Sequence, residues 1–500
     1  MTIKEVMARC LSHLYVWRIR KWAKTPLKTQ NKVLKNLISK AKDTSFGKDH
    51  SFEKIKSYKD FVLNTKVKDY EGLKPYIERA LDGEKNVLWP GRPIYFAKTS
   101  GTTSGTKYIP ISKESMPTHT KGSRDAIFHY IKETGKTAFL NKKVIFLQGS
   151  PVLEKINGIK TGRLSGIIAH VTPSYLKTNI MPSWKTNCIE DWEEKVNEIS
   201  KETIKEDMAV IGGIPPWVQM YFETLKEMGN KNVVSEIFPN FNLFVYGGVN
   251  YDPYKKTFQK LIGKEIDSIE YYPASEGFFA YQNSQKSNDL LLCLNSGIYY
   301  EFIELDEMEE KNPIRHNVGT VTVGVNYVLV ISSSAGLWAY NTGDTVSFVS
   351  LSPHKIRVTG RYKHFISAFG EHVIGSEVEG ALKETVKSID LNINEFTVAP
   401  KINPEAGLPC HEWWIEFDVL PKKEEVEKFA KKLDQNVRTR NAYYKDLVDG
   451  KILKELEVVV VKKDVFKKYM KKIGKLGGQN KLPRLSNDRQ IVEGVMSCNN

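Results

Sequence analysis

Cysteine is scarce and scattered in this 500-residue chain. Cys10, Cys188, Cys293, Cys410 and Cys498 are odd in number and form no Cys-x-x-Cys pair. That excludes a disulfide framework and a cysteine-based structural zinc site, and it suits a reducing cytoplasm, the expected location. Long apolar runs are also missing, since no stretch reaches the roughly eighteen uninterrupted apolar residues of a membrane span. At the N-terminus, Lys4, Arg9, Arg18, Arg20, Lys21 and Lys24 break up any signal-peptide core. Val6, Leu11, Leu14 and Trp17 recur there at helical spacing. The segment therefore reads as a basic amphipathic helix, suited to docking on the protein's own body or to lying on a membrane surface. Internal repeats and low-complexity tracts are absent. So are a Gly-x-Ser-x-Gly elbow and a Gly-x-Gly-x-x-Gly fingerprint, which excludes an α/β-hydrolase and a nicotinamide enzyme. His411-Glu412-Trp413-Trp414-Ile415 begins like a zinc-protease helix, but isoleucine stands where the second ligand must fall.

The length predicts two or three domains. The net charge of +15 raises the question of a polynucleotide partner. Lysine-rich stretches such as Lys422 to Lys432 and Lys462 to Lys475 interleave Glu or Asp, as solvated helix faces do. No motif of alternating aromatic and basic residues accompanies them, so no nucleic-acid partner is expected. Along the chain, residues 1 to about 90 read as mainly helical. A short strand, Pro93 to Ala97, follows, and Val144 to Leu147 reads as a buried strand. Strands at Met208–Ile211, Phe241–Tyr246 and Ser268–Tyr272 alternate with helices at Pro215–Met228 and Pro253–Ile262, which predicts a mostly parallel sheet. From Leu290 to Val373 the pattern shifts to short β-runs, Gly319 to Val323 among them. A boundary is expected near Arg361, with a compact α+β unit of about 140 residues beyond it.

Against that background one run stands out: Lys98-Thr99-Ser100-Gly101-Thr102-Thr103-Ser104-Gly105-Thr106-Lys107. Glycines admit a ligand close to the backbone, while N–H groups, hydroxyls and one ammonium are suited to anionic oxygens. The spacing is not that of a Walker A loop. Alone, such a run is also what a surface loop looks like. Four further segments add to it. Tyr272-Pro273-Ala274-Ser275-Glu276-Gly277 ends a predicted strand, where parallel sheets bind ligands. A tyrosine there can flank a purine, and a glutamate in a phosphate site is a natural magnesium ligand. In Tyr340-Asn341-Thr342-Gly343-Asp344 the aspartate is placed to accept from a ribose diol. Gly360-Arg361-Tyr362-Lys363 lies on the expected boundary. Near the C-terminus, Gly477-Gly478-Gln479-Asn480-Lys481 forms a glycine-rich turn that presents a lysine.

In this order the segments resemble the core motifs of adenylate-forming enzymes, specifically the Gretchen Hagen family of acyl-acid amido synthetases. Tyr299 to Ile303 and Asn326 to Tyr340 add to the likeness, which spans roughly Phe96 to Arg484. The resemblance implies an α/β multi-domain fold. Residues 1–360 would form a large N-terminal adenylation domain with mixed sheets and a β-barrel-like part, and residues 361–500 a small, mobile α+β lid. It assigns Ser100, Thr102, Thr103, Ser104 and Lys107 to the phosphates of ATP. Tyr272 goes to the adenine, Glu276 to Mg²⁺, Asp344 and Arg361 to the ribose, and Lys481 to the α-phosphate, with Ser275 among the ATP-binding residues. Lys107, Glu276 and Lys481 are the implied catalytic residues. The hinge falls at Arg361 and Lys363, where many relatives carry a different residue after the Gly-Arg pair. The intact Gly360-Arg361 pair matches a bacterial-type branch. Acyl-pocket candidates are Arg124, His170 and Val249. The implied substrates are a small carboxylic acid and an amino acid, with no stable membrane insertion; the sequence leaves the oligomeric state open. An acyl-CoA ligase of the same superfamily is the closest alternative, and a basic nucleic-acid-binding protein a distant one.

Overall fold

The computed structural model describes residues 2–102, 105–248, 251, 254–308, 310–361, 365–371, 373–389, 391–473 and 482–499. The chain divides into two compact units. One comprises Met1–Thr99, Lys107–Glu190 and Lys195–Tyr362; the other comprises Ser100–Thr106, Asp191–Glu194 and Lys363–Asn500.

Among the described residues, fifteen strands precede residue 362: β1 (Tyr95–Thr102), β2 (Gly105–Ile111), β3 (Lys143–Leu147), β4 (Glu154–Ile156), β5 (Ile159–Gly162), β6 (Ile180–Met181), β7 (Met208–Gly213), β8 (Leu243–Gly247), β9 (Asp267–Ala274), β10 (Gly277–Gln282), β11 (Leu290–Leu292), β12 (Ile298–Glu304), β13 (Asn326–Ser333), β14 (Tyr340–Leu351) and β15 (His354–Arg361). Eleven of them form one sheet in the order β12-β13-β14-β15-β11-β10-β9-β8-β7-β3-β6. From β6 to β9 it is parallel. The strands β7 and β8 are almost wholly buried, as parallel strands covered on both faces must be. At the β9–β10 hairpin the sheet turns antiparallel, with Ser275 and Glu276 as the two turn residues between Ala274 and Gly277.

The antiparallel half curls strongly. Four inter-strand steps separate β9 from β14, roughly 19 Å in a flat sheet. Yet the Tyr272 hydroxyl on β9 donates to Asp344 Oδ2 on β14 at 2.7 Å. Edge strand β12 likewise faces β10, with the Tyr300 hydroxyl 3.4 Å from the carbonyl oxygens of Phe279 and Cys293. Tyr272, Phe279, Tyr300, Phe302, Tyr327 and Phe348 share one core inside this curl. The expected barrel-like part is thus a continuation of the main sheet.

Two expectations are revised. Gly319 to Val323 is no strand: Asn317 caps a turn by accepting from Gly319 N at 2.8 Å, and Val323 makes only an isolated bridge to Phe348. The Gly/Ser/Thr run is not mainly loop either. It extends β1 to Thr102 and starts β2 at Gly105, with Thr103 and Ser104 outside the described residues. Tyr, Thr and Ile at its flanks favour extended backbone.

The helix Met116–Thr134 packs on the β10 face that carries Phe278. A Cβ at Gly122 would fall 2.1 Å from the Phe278 ring, so only glycine permits that approach. His119 and His129 on this helix are buried. His129 Nδ1 lies 3.1 Å from the Asp125 carbonyl oxygen and 3.2 Å from the Tyr281 hydroxyl. Burial pulls both imidazoles from 6.5 down to about 4. The unfolded chain therefore binds their protons first. The stability of keeping them neutral is present above pH 6.5 and lost as pH falls towards 4, on the order of 3 kcal/mol per histidine. Urea unfolding of the wild type between pH 7 and 4 is expected to show this loss, and His129→Gln to show a smaller one. Equal slopes for the two proteins would remove His129 from the account.

In the second unit, β16 (Phe365–Ile366) and β17 (Val373–Ile374) pair antiparallel, and β18 (Ile393–Lys401), β19 (Cys410–Phe417) and β20 (Glu457–Val460) form a sheet of that order, antiparallel then parallel. Helices Gly375–Ile389 and Lys423–Arg440 belong to the same unit, which makes it α+β as expected. His411 and Glu412 lie in the buried strand β19, and His411 Nε2 sits 2.7 Å from Glu371 Oε1. An extended strand cannot place two zinc ligands one helical turn apart, so the protease resemblance ends there.

Candidate active site

The aspartate of Tyr340-Asn341-Thr342-Gly343-Asp344 is set by a bulge that its own neighbours build. Between the pairs Val330–Asn341 and Val328–Thr345, β14 carries more residues than β13. Gly343 takes φ +81°, a left-handed conformation that costs glycine nothing. Asn341 Oδ1 accepts from Gly343 N at 2.8 Å, and the Thr342 hydroxyl donates to the Leu329 carbonyl at 2.9 Å. Asp344 N in turn donates to that hydroxyl at 3.2 Å. The carboxylate then receives the Tyr272 hydroxyl described above. On the other side Asp344 pairs in register with Arg361 of β15.

Glu276 occupies the tight turn after β9, at the carboxyl end of the parallel half. Its Oε1 lies 3.4 Å from the Tyr340 hydroxyl. Tyr340 is anchored by Lys68, whose N–H donates to the Ala339 carbonyl at 3.0 Å while its own carbonyl accepts from Asn341 N at 2.8 Å. Two residues on, Tyr70 begins a helix capped by Asp69. The Tyr70 hydroxyl accepts from Tyr108 N at 3.0 Å, and Lys107 Nζ stands 5.7 Å above the Tyr70 ring. Burial raises the Tyr70 phenol's pKa, which keeps it protonated. The segment 68–70 therefore joins β2 to β14.

The structure thus brings together Tyr272 with Asp344, and Glu276 with Tyr340, with Lys107 tied to the same strand through residues 68–70. Ser275 shares the Glu276 turn. Thr103, Ser104, Val249, Lys363 and Lys481 lie outside the described residues, and Ser100, Thr102 and Arg361 are placed by their strands alone. Arg124 is engaged elsewhere. Its guanidinium pairs with Asp125 at 2.8 Å and lies 4.4 Å above the Tyr15 ring. The neighbouring Ser123 carbonyl accepts from Tyr271, which points to the opposite sheet face from Tyr272. His170 Nε2 lies 2.9 Å from the Pro151 carbonyl oxygen, and its ring is edge-on to Trp184 at 4.9 Å. Lys68 and Tyr70 are the contributors that sequence reasoning misses. Their roles depend on contacts with strands far along the chain, and no short motif marks them.

The donor chemistry fits a nucleotide with a magnesium ion. Glu276 and Asp344 offer hard carboxylate oxygens, and Lys107 is a compact cation. Among the described residues, no three His, Cys, Asp or Glu side chains gather into a metal cage. Magnesium does not need one, because it is commonly held by one or two carboxylates and the substrate's phosphates.

Comparison with known proteins adds independent findings. The model of the GH3 family N-terminal domain matches residues 16–266, that of the GH3 family central domain residues 291–361, and that of the GH3 family C-terminal domain residues 376–490. A jasmonoyl–L-amino acid synthetase, JAR4, of Nicotiana attenuata is 23% identical over 345 residues, covering 55% of this chain and 59% of that protein. An indole-3-acetic acid-amido synthetase, GH3.3, of Arabidopsis thaliana is 21% identical across 93% of this chain and 90% of its own length. Among solved structures, the AtGH3.15 acyl acid amido synthetase in complex with 2,4-DB superposes with a TM-score of 0.62 at 15% identity, covering 97% of this chain and 96% of that one. A 2-hydroxyisobutyryl-CoA ligase superposes at 0.58 and 13% identity, over 95% and 92%. At these identities the structural likeness speaks for the fold.

Proposed function

The chain belongs to the GH3 family, and from that premise we propose that it is an ATP-dependent acyl-acid amido synthetase that joins a small carboxylic acid to an amino acid. The pairing of Tyr272 with Asp344, and of Glu276 with Tyr340, at the carboxyl end of the parallel strands supports this reading, since that end is where open α/β sheets bind nucleotides. In the first step the acid's carboxylate attacks the α-phosphorus of ATP and pyrophosphate leaves. In the second, the amine attacks the acyl carbonyl and AMP leaves. Asp344, oriented by Tyr272, is proposed to hold the ribose with Arg361, and Tyr272 to flank the base. Lys107, Ser100, Thr102, Thr103 and Ser104 are proposed for the phosphates, with Lys481 as a second cation. Mg²⁺ supplies charge neutralisation on the triphosphate when bound, with Glu276 as its proposed protein ligand. Such catalysis is mainly positioning and electrostatic. For the acyl pocket we propose His170 and Val249, with Arg124 serving the contact between its helix and Tyr15. The intact Gly360-Arg361 pair supports a place in a bacterial-type branch.

The test is pyrophosphate release from Mg-ATP with pooled aromatic and aliphatic acids, with and without mixed amino acids, using Lys107→Ala as control. Acid-dependent release that amino acids accelerate is expected. Release accelerated by coenzyme A and indifferent to amino acids would move the chain to the acyl-CoA ligases.

A further inference from the structure

The N-terminal helix Ile3–Ala23 has two apolar faces, and packing uses one of them. Inward, Val16, Ile19 and Ala23 are buried, and Tyr15 stacks on Phe128 at 4.6 Å. Ile19 belongs to the core beneath the helix Met116–Thr134, with Ala8 and Trp22 packed against it. Outward, Ile3, Val6, Met7, Leu11, Leu14 and Trp17 remain exposed, from 38% at Leu11 to 80% at Ile3. At 100° per residue they fall on one arc opposite the buried face, with exposed Cys10 among them. A helix that already has its core contacts gains nothing in folding from a second apolar stripe, and stripes of this kind mark interaction surfaces.

Charge identifies the partner. The first 42 residues hold eleven Lys or Arg and a single acid, Glu5, so +10 of the chain's +15 is concentrated there. Arg18, Lys21 and Lys24 continue the apolar arc at its C-terminal end, all exposed. Lys21 Nζ sits 3.6 Å over the Trp17 ring, pairing an amphipathic aromatic with a cation as interfacial anchors do. We propose that this outward face binds an anionic phospholipid surface, with the apolar arc among the acyl chains and the cations at the headgroups. A polynucleotide would use the cations and leave the apolar arc idle. A second copy of the chain would bring like charge against like. The attachment is peripheral, since no helix among the described residues is long and apolar enough to cross a membrane. It does not depend on the ligase reading.

Co-sedimentation of the full chain with vesicles tests the proposal. Vesicles of phosphatidylglycerol and phosphatidylcholine are expected to bind the wild type, and pure phosphatidylcholine to bind it at least about tenfold more weakly. Met7→Glu with Leu14→Glu is expected to cost at least about tenfold. Reversing Arg18, Lys21 and Lys24 to Glu should cost at least about a hundredfold. All these positions are exposed, and wild-type pyrophosphate release or an unchanged urea midpoint confirms that the variants fold. Equal binding to both vesicle types would overturn the proposal. So would loss on charge reversal but none on Met7→Glu with Leu14→Glu, which is the behaviour of a polyanion groove. A dimer that Leu14→Glu dissociates would assign the face to a second copy instead.

Discussion

An Asp344→Ala enzyme is expected to need about 10- to 100-fold more ATP for half-maximal rate, while its KM for the acid stays near the wild-type value. The size follows from losing one hydrogen bond to a charged acceptor, about 1.5–3 kcal/mol. Ribose contacts are made in ground and transition states alike, so the loss enters KM more than kcat. The geometry makes the carboxylate a prepared acceptor. Thr342 and Asn341 fix the bulge, and the Tyr272 hydroxyl holds Oδ2. Tyr272→Phe is therefore expected to move the ATP KM in the same direction by a smaller factor. Steady-state pyrophosphate release at varied ATP decides both, and an unchanged KM in Asp344→Ala would remove that residue from the nucleotide site.

Removing the Glu301 carboxylate should lower the unfolding free energy by about 3–5 kcal/mol, because it strands a buried guanidinium. Arg315 grips Glu301 through two bonds, Nε to Oε1 at 2.9 Å and Nη2 to Oε2 at 2.7 Å. The exposures of the two side chains are 4% and 0%. Arg315 also donates to the Thr65 carbonyl and lies 5.5 Å over the Phe61 ring. The Tyr58 hydroxyl completes the set on Glu301 at 2.9 Å, and burial together with that carboxylate keeps the phenol protonated. Urea unfolding of Glu301→Ala measures the loss. Glu301→Leu combined with Arg315→Met should recover much of it, since an apolar pair of similar volume leaves no buried charge unmatched. A double variant no better than the single one would mean that the hydrogen bonds to Tyr58 and Thr65 dominate. The ion pair fixes residues 58–65, and the chain runs from there directly into Lys68 and Tyr70 beside the candidate site.

How much of this is legible in the sequence depends on how local each cause is. Glu276 is readable because a strand, a two-residue turn and a second strand lie within a few residues of it. Asp344 is readable because Asn341, Thr342 and Gly343 build its bulge from inside the motif. Tyr70 is not, since its role rests on contacts with Lys107 and Tyr108, and Lys68 meets β14 more than 270 residues away. Arg124 illustrates a different limit. Its position after the glycine-rich run suggests the site, but spacing does not say which helix face meets which side of the sheet. The same limit applies to the first helix, whose pattern shows apolar residues all along it and leaves to packing which of them face inward. Gly319 to Val323 carries strand-forming residues, yet Asn317 and the glycines at 319 and 324 turn the backbone there.

The curl of the antiparallel half has a kinetic side. Tyr272 and Asp344 are 72 residues apart in the chain, Glu276 and Tyr340 are 64, and Ser112 and Ser334, which also hydrogen bond, are 222. Each such contact closes a long loop, whose entropy must be lost before the contact forms. Among the described residues, no short sub-segment holds the side chains proposed to face the nucleotide in register by itself. They become a site only as the last strands dock, so a nascent or partly unfolded chain carries the motifs without the binding surface they make.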